Sequence, residues 1–351
     1  MKINMVYSRI LLCLCGLFCL VIFISNTALA QDEQIEEVVE VEYLSEVRPG
    51  GRDSTLPIKV GMLVVDIDGV DGAQQSFVAN FALIAEWKDP RLATDINHIR
   101  VMNTEDIWTP YLQILNQQKL FETFPDQVQV LPDGTVTYVQ RYWGTLSYPM
   151  NLEDFPTDKH SLQIKLVTVG KDAPGIEFTI NEEKSGMGDV LTVTDWNITS
   201  WDIFTEQVKV APALPAMPGV IFEFEAERLV GFYFIKVLVP LIMIVFISLI
   251  VLFIDPTHIG PKFSIAITAI LTLIAYRFLL GNLLPKISYL THMDYFLFGS
   301  MFLVFAVLVE TSVVARLVGR DKEREAKILD YWCRWAFVIL FLLILAGSFL
   351  I

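Results

Sequence analysis

Four apolar spans, at about 230–254, 262–280, 295–318 and 331–351, fill nearly all of the chain after Arg228, and each is long enough to cross a bilayer. Lipid offers a backbone no hydrogen-bond partners, so each span must be a helix, and four in succession dictate a membrane bundle. The second span differs from the rest. On a helix turning about 100° per residue, Ser264, Thr268, Leu271, Ala275, Phe278 and Asn282 fall within roughly 40° of one line. Two hydroxyls stand at one end of that line, Leu and Ala in the middle, an amide at the other end. Small residues in line are one way to pack helices closely. A polar stripe on an apolar helix is also what a water-filled pore shared between copies of the helix requires.

Residues 1–30 read as a secretory signal peptide: Lys2 and Arg9, an apolar run from Ile10, then Ala28-Leu29-Ala30 before Gln31. An uncleaved anchor is the alternative. Export of the segment from Gln31 onward sets the topology of the spans. The loop between the third and fourth spans is then cytoplasmic, and it carries Arg316, Arg320, Lys322, Arg324, Lys327 and Arg334, as the positive-inside rule demands. The C-terminus ends outside. Cys13, Cys15 and Cys19 lie in the signal segment, and none follows a small-residue lipobox. Cys333 is left in the mature chain, so the exported half must rest on a packed core rather than disulfides. Four histidines, none spaced as ligands, argue against a metal site, and no cofactor is expected.

The exported half, residues 31–228, holds 33 Asp and Glu against 14 Lys and Arg, which argues against nucleic acid as a partner. Residues 31–57 form an acidic extension ending in a Pro49-Gly50-Gly51 turn. From Ile58 the chain becomes short alternating runs rich in Val, Ile, Phe and Thr, broken by Gly, Pro, Asp and Asn. The strand candidates are Lys59–Asp66, Ser76–Glu86, Val128–Leu131, Thr135–Leu146, Ser161–Val169, Gly175–Ile180, Trp196–Val210 and Val220–Glu227. This pattern indicates a β-sandwich or barrel over 58–228, followed by a four-helix transmembrane domain over 229–351. The turn Asp66–Asp71 is acidic, but its spacing is not that of an EF-hand loop. Within the spans, Arg277 lies about 140° from the polar stripe, so snorkelling or pairing with a neighbouring helix is its expected role. Glu310 on the third span is a candidate partner, and Pro240 a candidate kink in the first.

Short motifs make the picture specific. Trp87-Lys88-Asp89-Pro90-Arg91-Leu92 closes one strand. Trp108-Thr109-Pro110 comes next, with Asn116 six residues after the proline, and Phe155-Pro156-Thr157-Asp158 lies between strands. Arg228 precedes Tyr233 by five residues and Pro240 by twelve, and Lys262 precedes Pro285 by 23. In this order the set resembles the pentameric ligand-gated ion channels, the Cys-loop receptor superfamily. The resemblance runs from about residue 58 to the end. Tyr148 and Leu162 stand where animal members carry bridging cysteines, and the third loop is only about 15 residues, so the chain is similar to the prokaryotic branch.

The resemblance implies a homopentameric ring and a role for each matched residue. Ser264, Thr268, Leu271, Ala275, Phe278 and Asn282 would line the pore, with Leu271, Ala275 and Phe278 as a hydrophobic gate closing by dewetting. Gly260, Pro261 and Lys262 would form the cytoplasmic mouth that bears on selectivity. Arg228 and Asp158, with Asp71 as a third member, would couple the two domains, since a buried arginine needs paired acceptors. Phe155 and Pro156 would dock near Pro285. A purely structural ion bridge is the alternative reading of the Arg228 set. For a ligand, Ala82, Leu115 and Val169 replace the aromatic cage of the amine receptors, leaving Arg141 and Tyr142 as candidates on an interface strand. Leu273 stands where a proton-gated bacterial member has a pore-helix histidine.

The implied function is a ligand-gated channel in a bacterial inner membrane, opened by an external small-molecule or ionic ligand. The acidic vestibule favours cations, while Pro261 leaves an anion-selective channel open. A non-conducting membrane-anchored receptor is a further alternative, although the short 316–330 linker holds no effector domain. No set of carboxylates, nucleophile and base at believable spacing suggests an enzyme.

Overall fold

The computed structural model describes residues 45–51, 54–209, 215–281 and 287–349. The signal-peptide reading, most of the acidic extension, Asn282 and Pro285 fall outside the described residues.

Between Leu56 and Arg228 the alternating runs form two facing sheets. The larger contains β1 (Leu56–Asp71), β2 (Ser76–Lys88), β7 (Thr135–Ser147), β6 (Gln127–Val130) and β3 (Arg100–Asn103) in that spatial order. Three short strands join it: β5 (Gln117–Glu122) on β7, and β9 (Ile176–Ile180) and β10 (Gly186–Met187), both parallel to β1. The smaller sheet runs β11 (Trp196–Val208), β12 (Met217–Arg228), β8 (Lys159–Thr168), β4 (Leu112–Ile114). The eight candidate runs all fall on strands. β3, β4, β5 and β10 were not anticipated, because runs of two to six residues carry too little alternation to stand out.

Alternation decides which side chains meet. Phe77 of β2 and Phe224 of β12 touch edge to face across the sheets at 5.5 Å, and Trp87 meets Trp108 at 6.2 Å. The chain crosses between sheets at Leu115–Asn116. The Asn116 amide donates to the carbonyls of Ser147 (2.9 Å) and Gln163 (2.8 Å), and its own oxygen accepts from the Lys165 N–H at 3.1 Å. One side chain thus serves backbone groups of both layers.

Four helices complete the chain: α1 (Gly231–Phe253), α2 (Ile259–Leu280), α3 (His292–Val318) and α4 (Glu323–Phe349), each long and apolar enough to cross a membrane. Proline within α1 is accommodated rather than merely tolerated. A wide π turn, Phe234–Leu238, precedes Pro240, and the Tyr276 hydroxyl of α2 donates to the Val237 carbonyl at 2.8 Å, with that of Lys236 at 3.3 Å. The carbonyl that proline deprives of an N–H is therefore served by the neighbouring helix. α3 starts with a capping box between Thr291 and Asp294. Its next free donors, the N–H groups of His292 and Met293, reach the carbonyls of Glu153 (2.9 Å) and Phe155 (3.3 Å) in the loop before β8. The β-sandwich caps one of the apolar helices directly.

Replacing Asn116 with Ala strips partners from three backbone groups and should destabilise the protein by about 2–3 kcal/mol. A lower midpoint of denaturation in detergent, with the helical far-UV signal unchanged beforehand, is the expected result.

Candidate functional site

β12 runs into α1 with two residues between them, so its last residue, Arg228, stands at the border of the two domains. Its guanidinium grips Asp158 with two parallel bonds, Nε to Oδ1 at 2.7 Å and Nη2 to Oδ2 at 2.9 Å. The Arg228 N–H also donates to the Asp158 carbonyl at 3.2 Å. Both residues are buried. Three rings enclose the cation, with centroids at 4.1 Å (Trp196), 4.9 Å (Phe155) and 5.7 Å (Tyr233). Burial by itself would raise the Asp158 pKa. Hydrogen bonds from His160 and Arg228, and the charge of Arg228, overcome that and hold the carboxyl below the usual carboxylate range.

Asp71 does not join this pair. Its Oδ1 accepts the N–H groups of Ala73 (2.9 Å) and Gln74 (3.0 Å), closing its own exposed turn. Gly72 of that turn does approach the guanidinium, but the aspartate's local backbone donors are nearer and hold its carboxylate. Phe155 is buried against Tyr233 at 4.9 Å, and Pro156 succeeds it through a cis bond. The contact expected of them with Pro285 falls outside the described residues. His160, Trp196 and Tyr233 were missed as members of the cluster. The signal was faint: His160 comes two residues after Asp158, the spacing of one strand face.

On α2 the residues divide by face. Ser264, Thr268, Leu271, Ala275 and Phe278 are all exposed on the single chain, whereas Lys262, Ala266, Ala269, Leu273 and Leu280 are buried in the bundle. Gly260 and Pro261 are exposed at the start of the helix. Lys262 is the correction to the expected mouth. It is 1% exposed and hydrogen-bonded to Asp330 of α4, which also meets Arg334 at 3.3 Å. The buried side of α2 begins with Lys262, so its ammonium faces α4, and a charge taken into that interior needs a carboxylate. Glu310 belongs to the surroundings of this cluster, not to Arg277. Arg277 instead faces Asp294 at 3.9 Å and the Phe298 ring at 5.3 Å.

Arg141 and Tyr142 cannot form one ligand site on β7. Successive strand residues point to opposite faces. Tyr142 is buried in the sandwich, stacked on Phe81 at 5.3 Å, while Arg141 is half-exposed and its Nε donates to Asn80 at 2.9 Å. A cavity of about 550 Å³ elsewhere in the domain is lined by Trp87, Trp108, Tyr111 and Tyr138 with Glu105 and Asp126. Among the described residues no group of His, Cys, Asp and Glu could hold a metal ion.

Changing Asp158 to Asn removes the charge matching a guanidinium that stays protonated. A loss of about 3–5 kcal/mol is expected in thermal or denaturant unfolding at neutral pH. Because the folded pKa of Asp158 is depressed, its contribution is present above the unfolded value and disappears as pH falls through the folded one. The difference between parent and variant should therefore shrink in strong acid.

Similarity to known proteins respects the same division of the chain. Residues 31–230 match the neurotransmitter-gated ion-channel ligand binding domain, and residues 237–327 match the neurotransmitter-gated ion-channel transmembrane region. The proton-gated ion channel of Gloeobacter violaceus is 24% identical over 295 residues, which cover 83% of this chain and 82% of that one. The gamma-aminobutyric acid receptor subunit alpha-2 of Rattus norvegicus and that of Homo sapiens are each 26% identical over 297 residues, covering 81% of this chain and 65% of theirs. A β-sandwich followed by helices long and apolar enough to cross a membrane, over residues matched in order to the two regions of one family of channels, makes this chain a member of the neurotransmitter-gated ion-channel family.

Proposed function

We propose that the chain assembles as a homopentamer in a bacterial inner membrane, sandwich and C-terminus outside, and conducts cations when an external ligand binds the sandwich. In this reading residues 1–30 are a signal peptide, 31–57 an extension, 58–228 the ligand-binding domain and 229–351 the pore domain. The observation that carries it is the two-faced α2. Its buried side packs on the chain's own bundle, and its line of Ser264, Thr268, Leu271, Ala275 and Phe278 is exposed on the single chain. One helix cannot enclose a channel, whereas a closed ring of copies can. By its spacing in the sequence, Asn282 would extend that line.

Leu271, 60% exposed, and Phe278, 78% exposed, with Ala275 between them, would form the apolar constriction that excludes water when the ring closes. Arg228 and Asp158, with Phe155 and Pro156, would carry movement of the sandwich to the helices through Pro285 and α1.

Two observations support cations. Lys262 spends its charge on Asp330 rather than on the lumen. The Thr268 hydroxyl donates to the Ser264 carbonyl at 2.7 Å, so its proton is committed and its oxygen lone pairs face outward. A ring of such oxygens attracts positive ions, as does the acidic vestibule above it.

Leu271→Ser hydrates the constriction and should raise spontaneous conductance in reconstituted bilayers. Under a KCl gradient the reversal potential should lie near that of potassium. Silence from a folded pentamer would remove Leu271 as the gate, and a reversal near the chloride potential would reverse the selectivity. In the same background Lys262→Gln should leave the reversal potential in place, while lowering the yield of assembled protein.

A further inference from the structure

The cavity of about 550 Å³ in the sandwich does not use the positions expected of the amine receptors' aromatic cage, since Ala82, Leu115 and Val169 are not among its walls. Strand pairing builds one side of it. Trp87 of β2 stands opposite Val136 of β7, so Tyr138, two residues on, falls on the same face of the sheet. The run Trp108-Thr109-Pro110-Tyr111 builds the other side, tied to β8 by the Thr168 hydroxyl, which donates to the Pro110 carbonyl at 2.6 Å. Arg48 is buried and donates to the Asp172 carbonyl at 3.3 Å, which anchors the stretch carrying Ser45 and Glu46 against the same space.

Two indoles meet in this wall, edge to face at 6.2 Å, and their N–H groups fare differently. Trp108 Nε1 donates to Asp172 Oδ2 at 3.1 Å. Trp87 is 3% exposed, and its Nε1 meets no acceptor among the described residues. A buried donor without an acceptor is unfavourable, and an occupant that brings an oxygen relieves it. The charge of the lining also has a direction. Among the described residues it sets Glu46, Glu105, Asp126 and Asp172 against Lys171. Burial, and then the charges of Asp126 and Glu122, push the Tyr138 phenol pKa up, so the negative potential reaches the aromatic wall.

These features narrow the occupant. An amino acid, or any other carboxylate, would meet four groups of its own sign. A simple alkyl ammonium suits the carboxylates but offers Trp87 no acceptor. A neutral polyol leaves the excess charge unmatched. An amino sugar meets every demand. Its ammonium pairs with carboxylates and its hydroxyls accept from an indole while donating to acids, as the C–H face of its ring lies on an aromatic wall. The volume falls within the roughly 300–1,000 Å³ of small-molecule sites.

We propose that this cavity binds an amino sugar, a pyranose-sized polyol with one ammonium and no carboxylate. The site stands on the cavity alone, and the claim that its occupation opens the pore rests on the channel reading.

The test titrates the full-length protein, purified in a sugar-free detergent, with three pyranoses of similar shape and different charge: glucosamine, glucose and glucuronate. Calorimetry should show saturable binding of glucosamine, binding of glucose weaker by about five- to tenfold, and none of glucuronate. Trp87→Phe keeps an aromatic ring but lacks the N–H, and should weaken both binding sugars alike, by about three- to tenfold. Glu105→Gln combined with Asp126→Asn changes exposed residues only, and should bring glucosamine to within about twofold of glucose. No binding of glucosamine, equal binding of the three sugars, or parent-like affinity in both variants overturns the proposal. The current is read separately, by adding glucosamine to the outer side of the parent protein in bilayers. Binding that opens the pore supports site and channel together. Binding without current establishes the site and counts against the channel reading alone.

Discussion

A guanidinium does not give up its proton at any pH a cell meets, and Arg228 holds one where water barely reaches. The junction is organised around that fact. Asp158 supplies the matching charge, three aromatic rings supply their faces, and the backbone of the same two residues is bonded as well. Arg228 ends a strand and Asp158 precedes one, so the pair also fixes where the sandwich stops and the bundle begins.

The same dependence of one domain on the other recurs in the backbone. Helix starts leave donors unmet, and those of α3 are met by carbonyls of the loop that leads to Asp158. The Tyr289 hydroxyl in turn accepts the Leu152 N–H at 2.9 Å. The loop is therefore tied to the bundle by main-chain groups whose geometry does not depend on side-chain identity. Charge and backbone hold the same few residues, so a movement of the sandwich cannot pass the junction without bending one of these bonds.

Much of the architecture was legible because it rests on periodicity. Spans of twenty apolar residues and strands of ten or more announce themselves, and Phe155–Asp158 and Arg228 stood out by their spacing. What was not legible depends on which way a side chain turns. Lys262 lies near the start of α2, yet the rotation of that helix carries it inward to a carboxylate in another helix. Tyr142 neighbours Arg141 but belongs to the opposite face of the same strand. Asp71 has the right charge in nearly the right place, and its own turn claims it. His160 had no signal beyond a spacing of two, since it joins the cluster through Asp158, whose other partner, Arg228, lies 70 residues further on and is brought close by strand pairing.

The Lys262–Asp330 contact bears on how the protein is made. The two residues are separated by 68 positions in the chain, and the lysine is synthesised first. As α2 leaves the ribosome its ammonium has no counter-ion within the bundle, because α4 does not yet exist. A chain cut short before Asp330 would leave the Lys262 ammonium without its hydrogen-bonded carboxylate, with Glu310 of α3 the acid nearby.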